Sequence, residues 1–523
     1  MSREILSPTA IKIVLAVSVI FLLFLVPACT KEPAKSGPTP QKVENAPPST
    51  SGEATTSGEA ENASQEQLSD AFMKFVAQKW TGDLDGMIQR RLIRVLTTYS
   101  KTNYFIDRGT QRGITYDASK TFEDDLNKEL KNTHIRVNVV CVPVVRDDLI
   151  PALLDGRGDI VGAGLLLTDW RKEKVDFSNP TRSHISVIVV TGPGAPPIAS
   201  IQDLGGKEVY LQTSGVLQRG VDSFNAMLAK AGRPPVKIRP APEVLAPEDI
   251  LEMVNAGIVP ITLAPDYLGE FWQNVFPDIV LHKDVAVKSE AEIGMMVRKN
   301  SPQLLAKLNG FVARYPEGSR ERNVLLNKYL KEVKYARQVT SKQESAKFQQ
   351  VVRYLRKYSD QYGLDYLLLG ALGYQESTLD QNKKSGIGAI GVMQVMPATG
   401  KKMKVGDITQ LEPNIHAGVK YIRFMMDQYY ANEPMNTLNK GLFTFASYNA
   451  GPGRIKQLRE QAAKRGLDPN KWFNNVELVA AESIGRETVQ YVSNIYKYYL
   501  AYKMLTEKSE AWHKAKQELV RAK

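Results

Sequence analysis

From Leu92 to about residue 300, short unbroken apolar runs alternate with stretches whose apolar residues recur every three or four positions. The first pattern marks strands buried on both faces and the second marks helices with one buried stripe. Leu92-Ile-Arg-Val-Leu-Thr-Thr-Tyr99 reads as a buried strand. Ser119 reads as the N-cap of a helix with Phe122, Leu126 and Leu130 on one face. Ile135 to Val144 is the next strand, a helix through Leu149, Leu153 and Leu154 follows, and Asp159-Ile-Val-Gly-Ala-Gly164 is the third strand. This is a βαβαβ order with parallel pairing. A long strand, His184 to Thr191, opens a second α/β set that runs through Asp203 to Leu211 and Ile261 to Ala264. Ile293-Gly-Met-Met-Val297 returns the chain to the first set. Two α/β lobes joined by two crossing segments enclose a cleft. After Lys331 the pattern turns helical and charged, and Tyr366-Leu-Leu-Leu-Gly-Ala-Leu-Gly-Tyr-Gln-Glu-Ser377 brings a carboxylate to the end of an apolar helix.

The N-terminus sets the compartment. Arg3 and Lys12 precede the apolar run Ile13 to Val26, which is short for a spanning helix of about 20 residues. The run meets Leu25-Val-Pro-Ala-Cys29, a lipobox-like end to an export signal, which makes Cys29 the candidate lipidated residue. Residues 30–70 hold no aromatic side chain and are rich in Pro, Ser, Thr, Gly and Glu, the composition of a tether. The expected division is 1–28 signal, 29–75 tether, 76–330 two-lobed domain, 331–348 helical connector and 349–523 helical domain. With 68 Lys and Arg against 56 Asp and Glu the chain carries +12, which suits an anionic surface. Export makes nucleic acid an unexpected partner. Cys141 lies in a strand-like apolar run and is expected in the core. The five histidines are scattered without ligand spacing, so neither a metal nor another cofactor is expected.

Within the two-lobed part, Gly113-Ile-Thr-Tyr-Asp117, Gly158-Asp159, Thr168-Asp-Trp-Arg171, Val175-Asp-Phe-Ser-Asn-Pro180 and Asp203-Leu-Gly-Gly-Lys207 resemble type 3 periplasmic solute-binding domains. The resemblance implies a ligand site in the cleft. Arg171 would fork onto a carboxylate, with Tyr116 as aromatic wall, Ser214 as a hydroxyl from the second lobe and Asp266 as amine acceptor. Ala163, Gly164 and Leu166 stand where hydroxyl donors are usual, so part of the carboxylate clamp is absent. An amino acid or a wall peptide is the implied ligand, and a cleft serving only as a rigid docking surface is the alternative.

In the helical part, Glu376-Ser377 is followed by Ser385, Gly391-Val-Met-Gln-Val-Met-Pro-Ala-Thr399, Ala446-Ser-Tyr-Asn-Ala-Gly451 and Arg486-Glu-Thr-Val-Gln-Tyr-Val492. Leu369 and Leu372 share the face of Glu376, so its surroundings should be poor in water and its carboxyl pKa raised, as a general acid needs. The ordered set resembles the lysozyme-like domain of the soluble lytic transglycosylase type, over about Gln349 to Leu505. That implies Glu376 as the catalytic residue, with Ser385, Met393, Gln394, Tyr448, Asn449 and Tyr491 in the saccharide groove. Met396 is expected in the core, Gly451-Pro-Gly453 at a helix junction, Asp380 as a loop residue and Glu487 as a residue that orients its neighbours.

Hydrolytic glycosidases use two carboxylates, and no second candidate stands out in this chain. The resemblance implies one carboxylate that cleaves the bond between N-acetylmuramic acid and N-acetylglucosamine and leaves a 1,6-anhydro end. The expected fold is multidomain, a two-lobed α/β periplasmic-binding-protein-like domain followed by a mainly α lysozyme-like domain. The expected partners are peptidoglycan strands and, through Cys29, a membrane, most simply the outer one. A hydrolytic muramidase and a glycan-binding sensor lipoprotein without catalysis are the alternatives.

Overall fold

The computed structural model describes residues 78–132, 135–213, 216–331 and 342–521. The proposed signal, the tether, Cys29 and Ser214 lie outside them. β1 (Leu92–Thr97), β2 (Phe105–Asp107) and β3 (Thr110–Arg112) lead into the helix Ile114–Glu129, and β4 (Asn138–Pro143), β5 (Ile160–Val161) and β6 (Val175–Phe177) follow. β1 pairs in parallel with β4 and β5 and is buried along its whole length, as a central parallel strand requires. After Thr181 the chain crosses to β7 (Arg182–Thr191), β8 (Glu208–Gln212), β9 (Lys237–Ala241), β10 (Ile261–Pro265) and β11 (Val280–Ile293). These form a second sheet in the order β11-β7-β10-β8-β9. The chain returns to the first sheet as β12 (Met296–Arg298), between β5 and β6. The Thr181 and Leu167 amides donate to the Ile293 and Glu292 carbonyls at 2.7 and 2.8 Å, which ties the two crossing segments together.

Asp159 sits fully buried in the first lobe. Three guanidinium groups meet it: Arg90 at 2.6 Å, Arg94 at 3.1 Å and Arg298 at 3.4 Å. A buried charge persists only when paired and hydrogen-bonded. The surplus guanidinium donors go to carbonyls, Arg94 to Gln78, Trp80 and Gly156, and Arg298 to Leu153 and Gly158. Cys141 is core, and burial pushes its thiol up to about 12. Ser119 is not an N-cap. The helix starts at Ile114 behind Gly113, whose φ of +119° and approach to Asn103 suit only glycine, since a Cβ there would stand 2.2 Å from the Asn103 carbonyl oxygen.

The remainder is helical. Lys342–Tyr362, Tyr366–Ser377, Leu411–Met425, Thr437–Ala450, Pro452–Lys464 and Arg486–Arg521 surround a core that includes Phe443, Trp472 and Tyr499. Gly451, at φ +84°, ends one helix and Pro452 starts the next, as the Gly-Pro-Gly sequence predicts. Helix Arg486–Arg521 lies against the first lobe. Ser493 Oγ donates to Asn138 at 3.1 Å, Lys497 Nζ to Glu123 at 3.0 Å and the Tyr502 hydroxyl to the Gly109 carbonyl at 2.7 Å. Arg91 pairs with Glu477 at 2.5 Å. Burial pushes the Glu123 carboxyl up, but Lys497 and Lys120 outweigh it and hold the group at about 2. Burial lowers Lys497 to about 8 against the pull of Glu123.

Candidate functional site

Helix Tyr366–Ser377 is apolar around most of its circumference, so packing fixes it on every side but its end. Leu368, Leu369, Ala371 and Leu372 are buried, Asp365 caps the N-terminus onto Leu367 at 2.8 Å, and the Tyr499 hydroxyl holds the other oxygen of that cap at 2.8 Å. At the other end Thr378 and Leu379 are left-handed, at φ +59° and +64°, which turns the chain sharply after Glu376. Ser377, fully buried, donates to the carbonyls of Gly373 at 3.1 Å and Val392 at 2.8 Å, so the helix end is bolted to the Gly391 loop. Asn414, also fully buried, receives the Met393 amide at 2.9 Å and donates to Ile390 and Ile408.

This frame presents the Glu376 carboxyl in a half-buried position where the Tyr491 hydroxyl donates to it. Burial pushes the carboxyl up to about 7, while the Tyr491 hydrogen bond and the Lys383 ammonium act in the opposite direction. Lys383 Nζ donates to the Glu376 backbone carbonyl at 2.9 Å. No second carboxylate among the described residues contributes to that shift. The Tyr448 hydroxyl donates to the Met393 carbonyl at 2.7 Å, and burial and the Glu376 charge both raise its pKa. Gln394, at φ +44°, spends its side-chain amide on the carbonyls of Gly391 and Lys383 at 2.9 and 3.1 Å. Asn449 accepts from Thr488 at 2.7 Å, which joins its helix to that of Tyr491. Ser385 Oγ accepts the Ala389 amide at 2.9 Å and closes a turn that leaves Ile387 81 % exposed.

The structure thus gathers Glu376, Tyr448, Gln394 and Tyr491 around the Gly391–Met393 turn, with Ser385 closing a neighbouring turn. Two expectations change. Met393 is fully buried against Gly418 and its backbone carbonyl accepts the Tyr448 hydroxyl; a saccharide contact by its side chain would require the core to open. Met396, expected inside, is exposed as the N-cap of helix Pro397–Met403, because Pro397 starts the helix and turns the preceding side chain outward. Asp380 is a loop residue that accepts the Asn382 amide at 2.9 Å, and Glu487 is exposed. Sequence reading missed Lys383, Ser377 and Asn414. Ser377 stands beside Glu376 in the motif, whereas Asn414 lies on a distant helix with no local signal.

The predicted cleft residues do not converge. Arg171, 3 % exposed, donates to the Leu166 carbonyl at 2.7 Å and stacks by Trp170, holding its own turn. Asp266 accepts the amides of Ser186 and Tyr267 at 3.0 and 2.7 Å at the start of helix Asp266–Gln273. Tyr116 faces Tyr104, 6.4 Å away between ring centres, and its hydroxyl lies within electrostatic reach of Tyr498 and Tyr374 in the helical domain. None of the three lines the cavity of about 250 Å³ between the lobes. No cluster of three His, Cys, Asp or Glu suited to a metal occurs among the described residues.

Comparison with known proteins matches residues 93–332 to the bacterial extracellular solute-binding proteins, family 3, and residues 353–471 to the transglycosylase SLT domain. A membrane-bound lytic murein transglycosylase F of Pseudomonas fluorescens (strain Pf-5) is 26 % identical over 435 residues, 80 % of this chain and 85 % of the relative. That of Desulfosudis oleivorans is 26 % identical over 431 residues, 79 % of this chain and 90 % of the relative. The chain resembles membrane-bound lytic murein transglycosylases F over about four fifths of its length. Among solved structures, a mutant of ArgBP from T. maritima is similar at 22 % identity and a TM-score of 0.39, covering 47 % of this chain and 99 % of that one. The two family models account for the two-lobed α/β domain and for the helical domain that follows it.

Proposed function

We propose that the protein is a peptidoglycan lytic transglycosylase in which Glu376 does the acid and base work alone. The observation that carries this reading is the Glu376 carboxyl itself, half-buried, pushed up to about 7, bonded to Tyr491 and shifted by no second carboxylate among the described residues. A group with that pKa is substantially protonated near neutrality and can give its proton to the glycosidic oxygen as the bond from muramyl C1 breaks. The resulting carboxylate then takes the proton of the muramyl 6-hydroxyl while its oxygen closes on C1. No water is consumed, and the 1,6-anhydro end forms. A nucleophile already on the sugar gains from proximity what a second carboxylate would otherwise supply. Tyr491 orients the carboxyl, while Ser385, Gln394, Tyr448 and Asn449 hold the sugars.

In this reading residues 76–330 sense and residues 349–523 cut, with a ligand of the first domain biasing the second through the shared contacts of helix Arg486–Arg521. The protein works at the periplasmic side of a membrane, held by a lipid on Cys29. No helix among the described residues is long and apolar enough to cross a membrane. Purified sacculi test the chemistry. Anhydro-ended muropeptides support the reading, reducing ends would mean hydrolysis, and binding without products would mean a sensor. Cys29→Ala should release the protein to the soluble periplasmic fraction; retention in high salt would refute the anchor.

A further inference from the structure

The two lobes meet at a turn that the first lobe holds rigidly by itself. Ser100 and Tyr104 exchange backbone hydrogen bonds at 2.8 and 3.0 Å, and Ser100 Oγ accepts the amides of Thr102 and Asn103 at 3.2 and 3.1 Å. The carbonyls of Thr102 and Asn103 receive the amides of Ile114 and Thr115 at 3.0 Å, which fixes the turn to helix Ile114–Glu129 of the same lobe. Thr102 and Asn103 also line the mostly apolar cavity between the lobes, whose walls include Leu325 and Leu326.

Three side chains of the second lobe close on this turn. Glu248, in the first turn of helix Pro247–Asn255, accepts the Ser100 hydroxyl at 2.7 Å and the Thr102 amide at 3.0 Å, both on Oε1. Trp272, from helix Asp266–Gln273, donates its ring N–H to Thr102 Oγ1 at 3.2 Å. Glu252, one helical turn beyond Glu248, faces the Lys101 ammonium at 3.7 Å. Ser100, Thr102, Glu248 and Trp272 are each no more than 2 % exposed, so no bulk water stands by to replace these bonds, and a buried polar group left without its partner is costly. Burial and neighbouring Asp249 push the Glu248 carboxyl up, while the Ser100 bond and Lys101 act against them. A proton on the other oxygen would still leave Oε1 able to accept both bonds, so the contact rests on an acceptor atom and not on a charge.

We infer that the two-lobed domain carries its own latch: Glu248 and Trp272 of the second lobe grip the Ser100–Tyr104 turn of the first and hold the lobes shut through bonds that the chain makes with itself. Anything that enters between the lobes has to break the latch, so its strength sets the share of molecules open to entry and weakens every apparent affinity by that factor. The inference concerns the resting position of the lobes, goes beyond the proposed cleavage and does not depend on it.

The test is a distance measurement by double electron–electron resonance on the full-length protein carrying Cys29→Ala. Spin labels sit at Lys128→Cys in the first lobe and Lys230→Cys in the second, both exposed, while buried Cys141 stays unlabelled. The intact latch should give one short-distance population, and Glu248→Ala should add a longer one. Glu248→Gln keeps an acceptor oxygen of the same reach and should restore the short population. Thr102→Val takes the acceptor from Trp272 on the other side of the contact and should lengthen the distance as well; where a thermal melt shows that Glu248→Ala does not fold, this variant carries the test. Labels within the first lobe, at Lys128→Cys and Lys172→Cys, should keep their distance in every variant. The inference is overturned if the longer population already dominates with the latch intact, or if a folded Glu248→Ala or Thr102→Val gives the unaltered distances. It is equally overturned if Glu248→Gln opens the lobes as far as Glu248→Ala, or if the pair within one lobe moves together with the pair between lobes.

Discussion

Around Glu376 the polar side chains bond to one another and to a single stiff loop; in the solute cleft they bond to the backbone of their own lobe. Ser377, Asn414 and Gln394 all hold the Gly391–Met393 turn, so the residues that shape the groove also shape the chain locally. Arg171 and Asp266 instead secure Leu166 and Ser186, on opposite sides of the crossing segments, and leave the cavity to Arg182, Tyr267 and Arg322. Around Glu376 the motif residues meet on one turn of one domain. In a cleft between two bodies they do not, because each lobe must first satisfy its own buried polar groups.

The largest expected effect breaks the groove. Glu376→Gln removes the transferable proton and should lower muropeptide release by about 10³-fold or more, at the upper part of the range for general acid–base catalysis, with circular dichroism unchanged. Substantial activity in a folded variant would end the assignment. Next, the domain seam can be loosened. Lys497→Met strips a partner from buried Glu123 and should cost about 3 kcal/mol, read in a urea melt. Glu123 is depressed to about 2 from an ordinary 4.5, so its stabilisation is full above about 4.5 and fades as pH falls toward 2. The wild type should therefore lose more stability over that window than Lys497→Met does, and parallel losses would contradict the pairing.

Two smaller changes sharpen the electrostatics. Tyr491→Phe removes the hydrogen bond that favours the Glu376 carboxylate, so the alkaline limb of activity should move above about 7 and the maximal rate should fall about tenfold, read in a pH–rate profile. Lys383→Met removes a more weakly acting cation and should move the limb in the same direction by less, with Lys383→Arg restoring it. A limb that moves downward in either variant would show that the sign is wrong.

Much of the fold was legible because its causes are local. The β1, β4 and β5 strands carry apolar runs, and the return of the chain at β12 shows in Ile293 to Val297. The Ser119 cap was misread because a serine before apolar spacing looks like a cap, whereas the start is set by Gly113, whose need for positive φ depends on Asn103 across a turn. Glu376 and Tyr491 were legible through their motifs, but Lys383 was not. Its role depends on the sharp turn at Thr378 and Leu379 that folds it back onto the helix end. The apolar cavity was invisible because Leu325 and Leu326 have the spacing of ordinary core leucines.

The most direct measurement of the central claim, that one carboxylate cuts without water, is digestion of purified sacculi in ¹⁸O-enriched water followed by mass spectrometry of the new glycan ends. The account predicts anhydromuramyl ends with no ¹⁸O. Reducing muramyl ends carrying ¹⁸O would contradict it.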